Sequence, residues 1–407
     1  MRKVILLATF LAGIFFTSSV SAQDVFDAND PIQEFNSLAR PAYPADKIIE
    51  WGRQKTGLTG YDDWKCYMWN GLPFRLYYPV GYNKSDRTKK YPIIAFFHGD
   101  GEVATDNEIQ LVHGARTWEQ MFEANPAQFN AFMLFPQEPI RGWDYGYLEK
   151  TMQIIDTLVK YNNVDIDRVI SMGLSMGGNA CVRYAALFPQ KAATVISSSG
   201  PFLHGFYAPP GYYQVDLIGT INNYVHVPLW LANGGLDLNP HPNEITYYIN
   251  GVRAAGANVR HSYYPTQGHG TWVPQWSEPY LVPTWQTAHK ANPIVYFQQN
   301  VICPGVQNAK IGISAGYAQY EWQKDNVAFP GNSNEIIATQ AGTYRVRFKR
   351  TATSDWSVWS PNPVVITSQA ATTTPAVVIT GLKSKVLPAP DGSTSKGKSS
   401  RTGYKCP

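Results

Sequence analysis

Three residues could do chemistry together: Ser175, Asp237 and His269. Ser175 lies in Gly173-Leu174-Ser175-Met176-Gly177, after the apolar run Val169 to Met172 and before the helix-compatible segment Asn179 to Leu187. That pattern predicts a strand turning sharply into a helix with a serine at the apex. A side chain at either flanking glycine would clash with the neighbouring strand or helix. A serine hydroxyl becomes a nucleophile when a base takes its proton, an acid orients the base, and donors receive the oxyanion. His269 is the one of eight histidines in a glycine-flanked turn after the last strand expected in the catalytic domain, Val259 to Tyr264. Asp237 follows the strand Val227 to Ala232, in the turn Asn233-Gly234-Gly235-Leu236-Asp237. Asp216 is the rival acid, in a loop with no strand before it.

The oxyanion donors expected are the backbone N–H groups of Met176, next to the nucleophile, and of Asp100, in the turn His98-Gly99-Asp100-Gly101. Gly99 could replace Asp100, and His98 reads as structural. Trp143, after a strand end, and Trp272, beside the histidine turn, are the candidates for substrate contact through flat indole faces. Core packing is the alternative for both, and the heavier one for Trp272. No cofactor and no metal site is implied: there is no Walker motif, no Gly-x-Gly-x-x-Gly after a strand, and no His/Cys ligand cluster.

Taken together, Asn163 through Gly178, Phe97-His98-Gly99 and Gly268-His269-Gly270-Thr271-Trp272 resemble the α/β-hydrolase superfamily over residues 62 to 300. Within it the chain is similar to secreted carbohydrate esterase family 1 proteins, feruloyl and acetylxylan esterases, and dienelactone-hydrolase-like proteins. The resemblance implies Asp237 as the acid and an exported serine carboxylic-ester hydrolase. The implied substrates are acetyl or hydroxycinnamoyl esters, polysaccharide-linked ones included. Two other readings stand beside it. One is a peptidase of the prolyl-oligopeptidase type, which shares the triad order. The other is a non-catalytic binding protein on an inert hydrolase scaffold.

The elements that must position these residues can be read from periodicity. Lys65–Trp69 and Leu72–Tyr78 around Asn70-Gly71 predict a hairpin. Tyr91–Phe97 is a fully apolar strand, as in the centre of a parallel sheet. A helix near Thr117–Asn125, the strand Ala131–Phe135, a helix over Leu148–Tyr161 and the strand Ala193–Ser198 follow. A further helix spans about Asn243–Ala255. Alternating strands and helices predict a doubly wound α/β sheet, which binds ligands at the carboxyl ends of its strands. A helix is also expected near Ala45–Lys55. The connection from Gly200 to His226 is too short for a multi-helix cap, so an open cleft is expected.

Beyond Cys303-Pro304-Gly305 helical patterns vanish and short β-rich runs appear. Trp322 and Ala341-Gly342-Thr343-Tyr344-Arg345-Val346 resemble the core tryptophan and tyrosine corner of a small all-β immunoglobulin-like sandwich. Val346 stands where the immunoglobulin cysteine would fall. With every catalytic candidate before residue 300, a chain ending near Asn300 is expected to fold and to hydrolyse a small ester.

Composition bounds the rest. The 407 residues are 44% hydrophobic and 16% charged, enough for a large core. The net charge of +4 comes from the two ends, Arg2 and Lys3 and the stretch Lys383 to Lys405, so it indicates no nucleic-acid surface. Arg2-Lys3, the apolar run Val4–Phe16 and Val20-Ser21-Ala22 form the pattern of a signal peptide, too short to span a bilayer. Secretion or periplasmic export without membrane insertion follows, and the four cysteines can then form disulfides. The expected division is 1–22 signal peptide, 23–61 N-terminal extension, 62–300 catalytic domain, 301–367 immunoglobulin-like domain, and 368–407 linker and basic tail. The oligomeric state stays open.

Overall fold

The computed structural model describes residues 26–32, 34, 49–50, 52–202, 216–303, 305 and 307–369. The expected signal peptide, the basic tail with Cys406, and the middle of the connection from Gly200 to His226 lie outside them. A short strand, β1 (Ile49–Glu50), pairs antiparallel with β2 (Lys65–Trp69). It stands where a helix was expected. Pairing along the open backbone edge of β2 outweighs local helix propensity there. The hairpin of β2 and β3 (Leu72–Tyr77) forms as expected, with Asn70 and Gly71 at φ 46° and 79°.

The chain then alternates. β4 (Tyr91–Phe97) is followed by α1 (Ala115–Ala124), β5 (Phe132–Pro136) and α2 (Tyr145–Tyr161). β6 (Val164–Leu174), α3 (Met176–Leu187) and β7 (Ala192–Ser198) form the centre. After α4 (Ile221–Tyr224) come β8 (Leu229–Gly234), α5 (Pro242–Ala254) and β9 (Val259–Tyr264). Two short helices, α6 (Trp272–Trp276) and α7 (Leu281–Thr287), complete this part.

These strands make one nine-stranded sheet in the order β1-β2-β3-β5-β4-β6-β7-β8-β9. From β5 to β9 all neighbours are parallel, whereas β1, β2 and β3 add on antiparallel. The doubly wound description therefore holds for the parallel part, and the edge is mixed. The strand order fits an α/β-hydrolase fold. Every residue of β4 is buried because both faces of the sheet are covered. Ile93, Ala95 and Phe97 point into one core, and Ile94 and Phe96 into the other. Each such large apolar side chain contributes about 1.5–3 kcal/mol by leaving water. Chain order reverses beside β4, since β5 lies on one side and β6 on the other. The carboxyl ends of β4 and β6 flank that switch point, where sheets of this kind bind ligands.

The N-terminal extension packs on this sheet. Phe26 is buried against Tyr67, Trp69 and Phe74. Arg53 is buried and ion-paired with Glu34, Asp62 and Glu108.

The remaining strands form a second unit of two sheets. One contains β10 (Ile294–Val295), β12 (Ala309–Gly312) and β15 (Glu335–Ala338). The other contains β11 (Val301–Ile302), β13 (Gln319–Lys324), β14 (Val327–Phe329), β16 (Gly342–Lys349) and β17 (Val364–Ser368). Trp322, Tyr344, Val346 and Phe348 fill the core of this unit. Val346 is the register partner of Trp322, and both side chains are buried in this core. The Tyr344 hydroxyl donates to the Gln340 carbonyl at 2.8 Å.

This unit is docked on the first. Lys290 Nζ is buried and donates to the carbonyls of Pro189 and Ala192 at 2.7 and 2.9 Å and to Ser314 Oγ at 2.7 Å. Burial pushes its pKa down to about 7. Tyr317 and Arg350 both donate to the Gln190 carbonyl at 3.2 Å. Cys303 is in a disulfide, while Cys66 and Cys181 are free and buried. No helix among the described residues is long and apolar enough to cross a membrane.

Candidate active site

Ser175 caps α3 with φ 53° and ψ −122°, a backbone conformation that costs a non-glycine residue of order 1–3 kcal/mol. The neighbours hold it there. Its N–H donates to the Ser198 carbonyl at 2.8 Å. A Cβ on Gly177 would lie 1.9 Å from the Phe97 oxygen, and one on Gly173 would lie 2.2 Å from the Gly177 oxygen. Both glycines are therefore demanded by space, as the motif implies.

His269 arrives from the turn after β9. Its Nε2 stands 2.7 Å from Ser175 Oγ, and its Nδ1 stands 3.1 and 3.0 Å from the two Asp237 oxygens. Nδ1 donates to the carboxylate, which leaves Nε2 to accept the serine proton. Asp237 is buried, and Asn239 N–H fixes its Oδ1 at 2.9 Å. The two turns are bound to each other: Leu236 N–H donates to the Gln267 carbonyl at 2.9 Å and Gly235 N–H to the Tyr264 carbonyl at 2.8 Å. The structure thus brings together Ser175, Asp237 and His269 from the carboxyl ends of β6, β8 and β9. Asp216 is elsewhere, its carboxylate capping the N–H groups of Ile218 and Gly219.

Met176 N–H opens α3, and Asp100 N–H opens a short 3-10 turn over Asp100–Glu102. Neither amide has a hydrogen-bond partner among the described residues. Gly99 lies against the serine, since a Cβ on it would sit 3.4 Å from Ser175 Cβ. The Asp100 side chain is ion-paired with Arg141.

His98 holds this loop. It is fully buried; its Nδ1–H donates to the Gly99 carbonyl at 2.6 Å, and its Nε2 accepts Glu138 N–H at 2.8 Å. Burial pulls its pKa down to about 4, so it is neutral. Trp143 belongs to the same brace, which corrects its assignment to substrate contact. It is 0% exposed, stands edge-on to Phe97 at 5.0 Å, and donates from Nε1 to the His98 carbonyl at 3.1 Å. Its backbone N–H goes to the Glu138 carboxylate, and Arg183 of α3 donates to its carbonyl at 2.9 Å. Burial lifts the Glu138 pKa to about 8. Trp272 is partly exposed, with its ring 5.9 Å from that of His269, so it does border the site. Trp276 and Trp285 pack in the core beneath.

Sequence reasoning passed over Glu102 and His113, which face each other at 3.5 Å beside Gly99 and Trp272. Neither lies in a periodic element, so nothing in the spacing marks them.

Neither a protein-family model nor a curated protein matches the sequence. Among solved structures, one similar chain is a thermostable esterase, at 23% identity and a TM-score of 0.44. The match covers 53% of this chain and 58% of that one. A ferulic acid esterase gives 16% identity and a TM-score of 0.39, covering 53% of this chain and 92% of that one. A putative dipeptidyl aminopeptidase IV from Bacteroides ovatus gives 17% and 0.41, covering 53% and 32%. This chain therefore spans less than two thirds of the first and third of these proteins. At these identities and scores the likenesses bear on neither substrate nor activity.

Proposed function

We propose that this chain is an exported serine hydrolase of carboxylic esters. The observation that carries the reading is the unbroken hydrogen-bonded chain from Asp237 through His269 to Ser175, with the serine in a strained turn at a helix start. Ser175 Oγ attacks the ester carbonyl carbon while its proton passes to His269 Nε2. Asp237 stabilises the imidazolium that forms. The oxyanion is received by the N–H groups of Met176 and Asp100, which are unpaired among the described residues. Collapse expels the alcohol, which takes the proton from Nε2. Water then attacks the acyl-serine by the same route, releasing the acid and restoring Ser175.

The substrate in this proposal is an acetyl or hydroxycinnamoyl ester on a polysaccharide. The partly exposed Trp272 beside His269 supports it, since an indole face suits a sugar or phenolic ring. The disulfide at Cys303 fits export, because such bonds persist outside a reducing cytosol. We read the second unit as immunoglobulin-like from the Tyr344–Gln340 hydrogen bond and the buried Trp322. The test is a substrate panel: acetylated and feruloylated xylan, long-chain glycerides, and prolyl peptides. Release of acetyl or hydroxycinnamoyl groups from xylan, without a rate jump on aggregated lipid, is the expected result. Turnover of peptides alone would replace this reading with the peptidase one.

A further inference from the structure

On one side of the nucleophile, contacts run from the triad to two side chains that its chemistry does not use. From Ser175 they run to His269 at 2.7 Å, then to Trp272 with ring centroids 5.9 Å apart, then to His113 at 5.5 Å between centroids. His113 Nε2 faces Glu102 Oε1 at 3.5 Å. They return through Gly99: a Cβ built there would lie 3.2 Å from Glu102 Oε2 and 3.4 Å from Ser175 Cβ. A carboxyl group and an imidazole thus stand together within reach of the reacting serine.

Both groups have hydrogen-bonding capacity to spare. Glu102 Oε2 is buried, and the backbone N–H groups of Gly99 and Glu102 lie against its carboxyl group, which leaves Oε1 as the oxygen that faces His113. The 3.5 Å between Oε1 and His113 Nε2 is too long for a good hydrogen bond. The Glu102 side chain is 10% exposed and that of His113 35%, which leaves the pair open on the His113 side. Burial raises the Glu102 pKa and lowers that of His113. A carboxyl oxygen accepts a hydrogen bond, and a neutral imidazole donates from one ring nitrogen and accepts at the other.

We propose that Glu102 and His113 form a subsite for a hydroxyl group that the substrate carries next to its scissile ester, the vicinal hydroxyl of a partly acylated sugar. The hydroxyl bridges the two side chains, donating to one and accepting from the other, and Trp272 covers the sugar ring. The proposal rests on the ester-hydrolase reading above. A vicinal hydroxyl lies a few bonds from the scissile carbonyl, whereas the phenolic hydroxyl of a hydroxycinnamoyl group stands a vinyl group and a ring away, so matched substrate pairs tell the two apart.

The test uses the full chain and two matched substrate pairs. The first is a mono-acetylated methyl xyloside with its neighbouring hydroxyl free, and its deoxy counterpart. The second is methyl 4-hydroxycinnamate and methyl cinnamate, with para-nitrophenyl acetate as a hydroxyl-free reference. Wild-type kcat/KM should favour the free-hydroxyl xyloside by about tenfold or more, the worth of a good hydrogen bond. Glu102→Leu and His113→Leu should each bring that ratio near one while leaving the cinnamate ratio as in wild type. Should Glu102→Leu not fold, His113→Leu carries the test from a half-exposed position. A wild-type xyloside ratio near one, a ratio retained in the variants, or a change confined to the cinnamate pair overturns the subsite. No wild-type turnover of any of these esters, para-nitrophenyl acetate included, overturns the ester-hydrolase reading itself.

Discussion

Arg350 of the second unit is ion-paired with Asp167 near the start of β6, the strand whose far end delivers Ser175. The pair lies beside Lys290, whose ammonium is buried between the two units. The second unit therefore packs as a wall on the first, so a chain ending near Asn300 is expected to be less stable than the whole. Such a truncation strips Ser314 from Lys290 and the cation from Asp167. We predict a melting midpoint lower by about 5 °C or more. Arg350→Ala should cost about 1–3 kcal/mol in urea denaturation, since both partners are largely buried. Unchanged midpoints in both proteins would contradict the docking role.

Trp143 offers a direct contrast between core and substrate contact. With its ring fully buried, Trp143→Ala should cost about 3–5 kcal/mol of stability. Trp143→Phe should lose less, but still lower kcat through the His98 carbonyl that the indole N–H holds. A Trp143→Ala protein with wild-type stability and only a raised KM would restore the substrate-contact assignment.

The elbow glycines test the fit of the turn. Gly177→Ala puts a methyl into the Phe97 carbonyl and should cost about 1–3 kcal/mol or more, with loss of activity. Gly101→Ala meets nothing within 4 Å and should shift stability by no more than about 0.5 kcal/mol. Thermal melts of the two variants side by side check this. Equal effects would mean that the close approach at Gly177 is not real.

His98 gives a pH dependence whose sign is fixed. Burial depresses its folded pKa to about 4 from an unfolded 6.5. The unfolded chain then binds the extra proton between those values, so the His98 contribution falls as pH drops from about 6.5 to 4. Protonation would also remove the acceptor for Glu138 N–H and disturb the Gly99 loop. Other buried groups titrate nearby, so the quantity to measure is the stability difference between wild type and His98→Gln across that range. A flat difference would contradict the neutral, structural histidine.

Much of this was legible in the sequence because the central sheet obeys local rules. β4 is apolar at every residue, and its observed limits, Tyr91–Phe97, are those read from the sequence. Ser175, Asp237 and His269 could be chosen because each ends a strand pattern in a glycine-marked turn. What was not legible depends on tertiary contact. Ile49–Glu50 is extended because β2 offers a partner edge, which no helical periodicity reveals. Trp143 follows a strand end like a rim residue, yet the turn at φ 45° sends it into the core. Glu102 and His113 meet only after the loop beyond β4 folds back, and the burial of Lys290 needs a unit that begins after it.

The central claim is that Ser175 is a nucleophile activated by His269 and oriented by Asp237. Covalent labelling by an active-site fluorophosphonate, read by mass spectrometry of the peptide containing residue 175, tests it most directly. Wild type should form one adduct, on Ser175, and Ser175→Ala none. His269→Ala should label far more slowly and lose ester turnover by roughly 10⁴-fold, with Asp237→Asn equal or somewhat milder. An unlabelled wild-type protein, or a Ser175→Ala variant that labels and turns over as wild type does, would contradict the account.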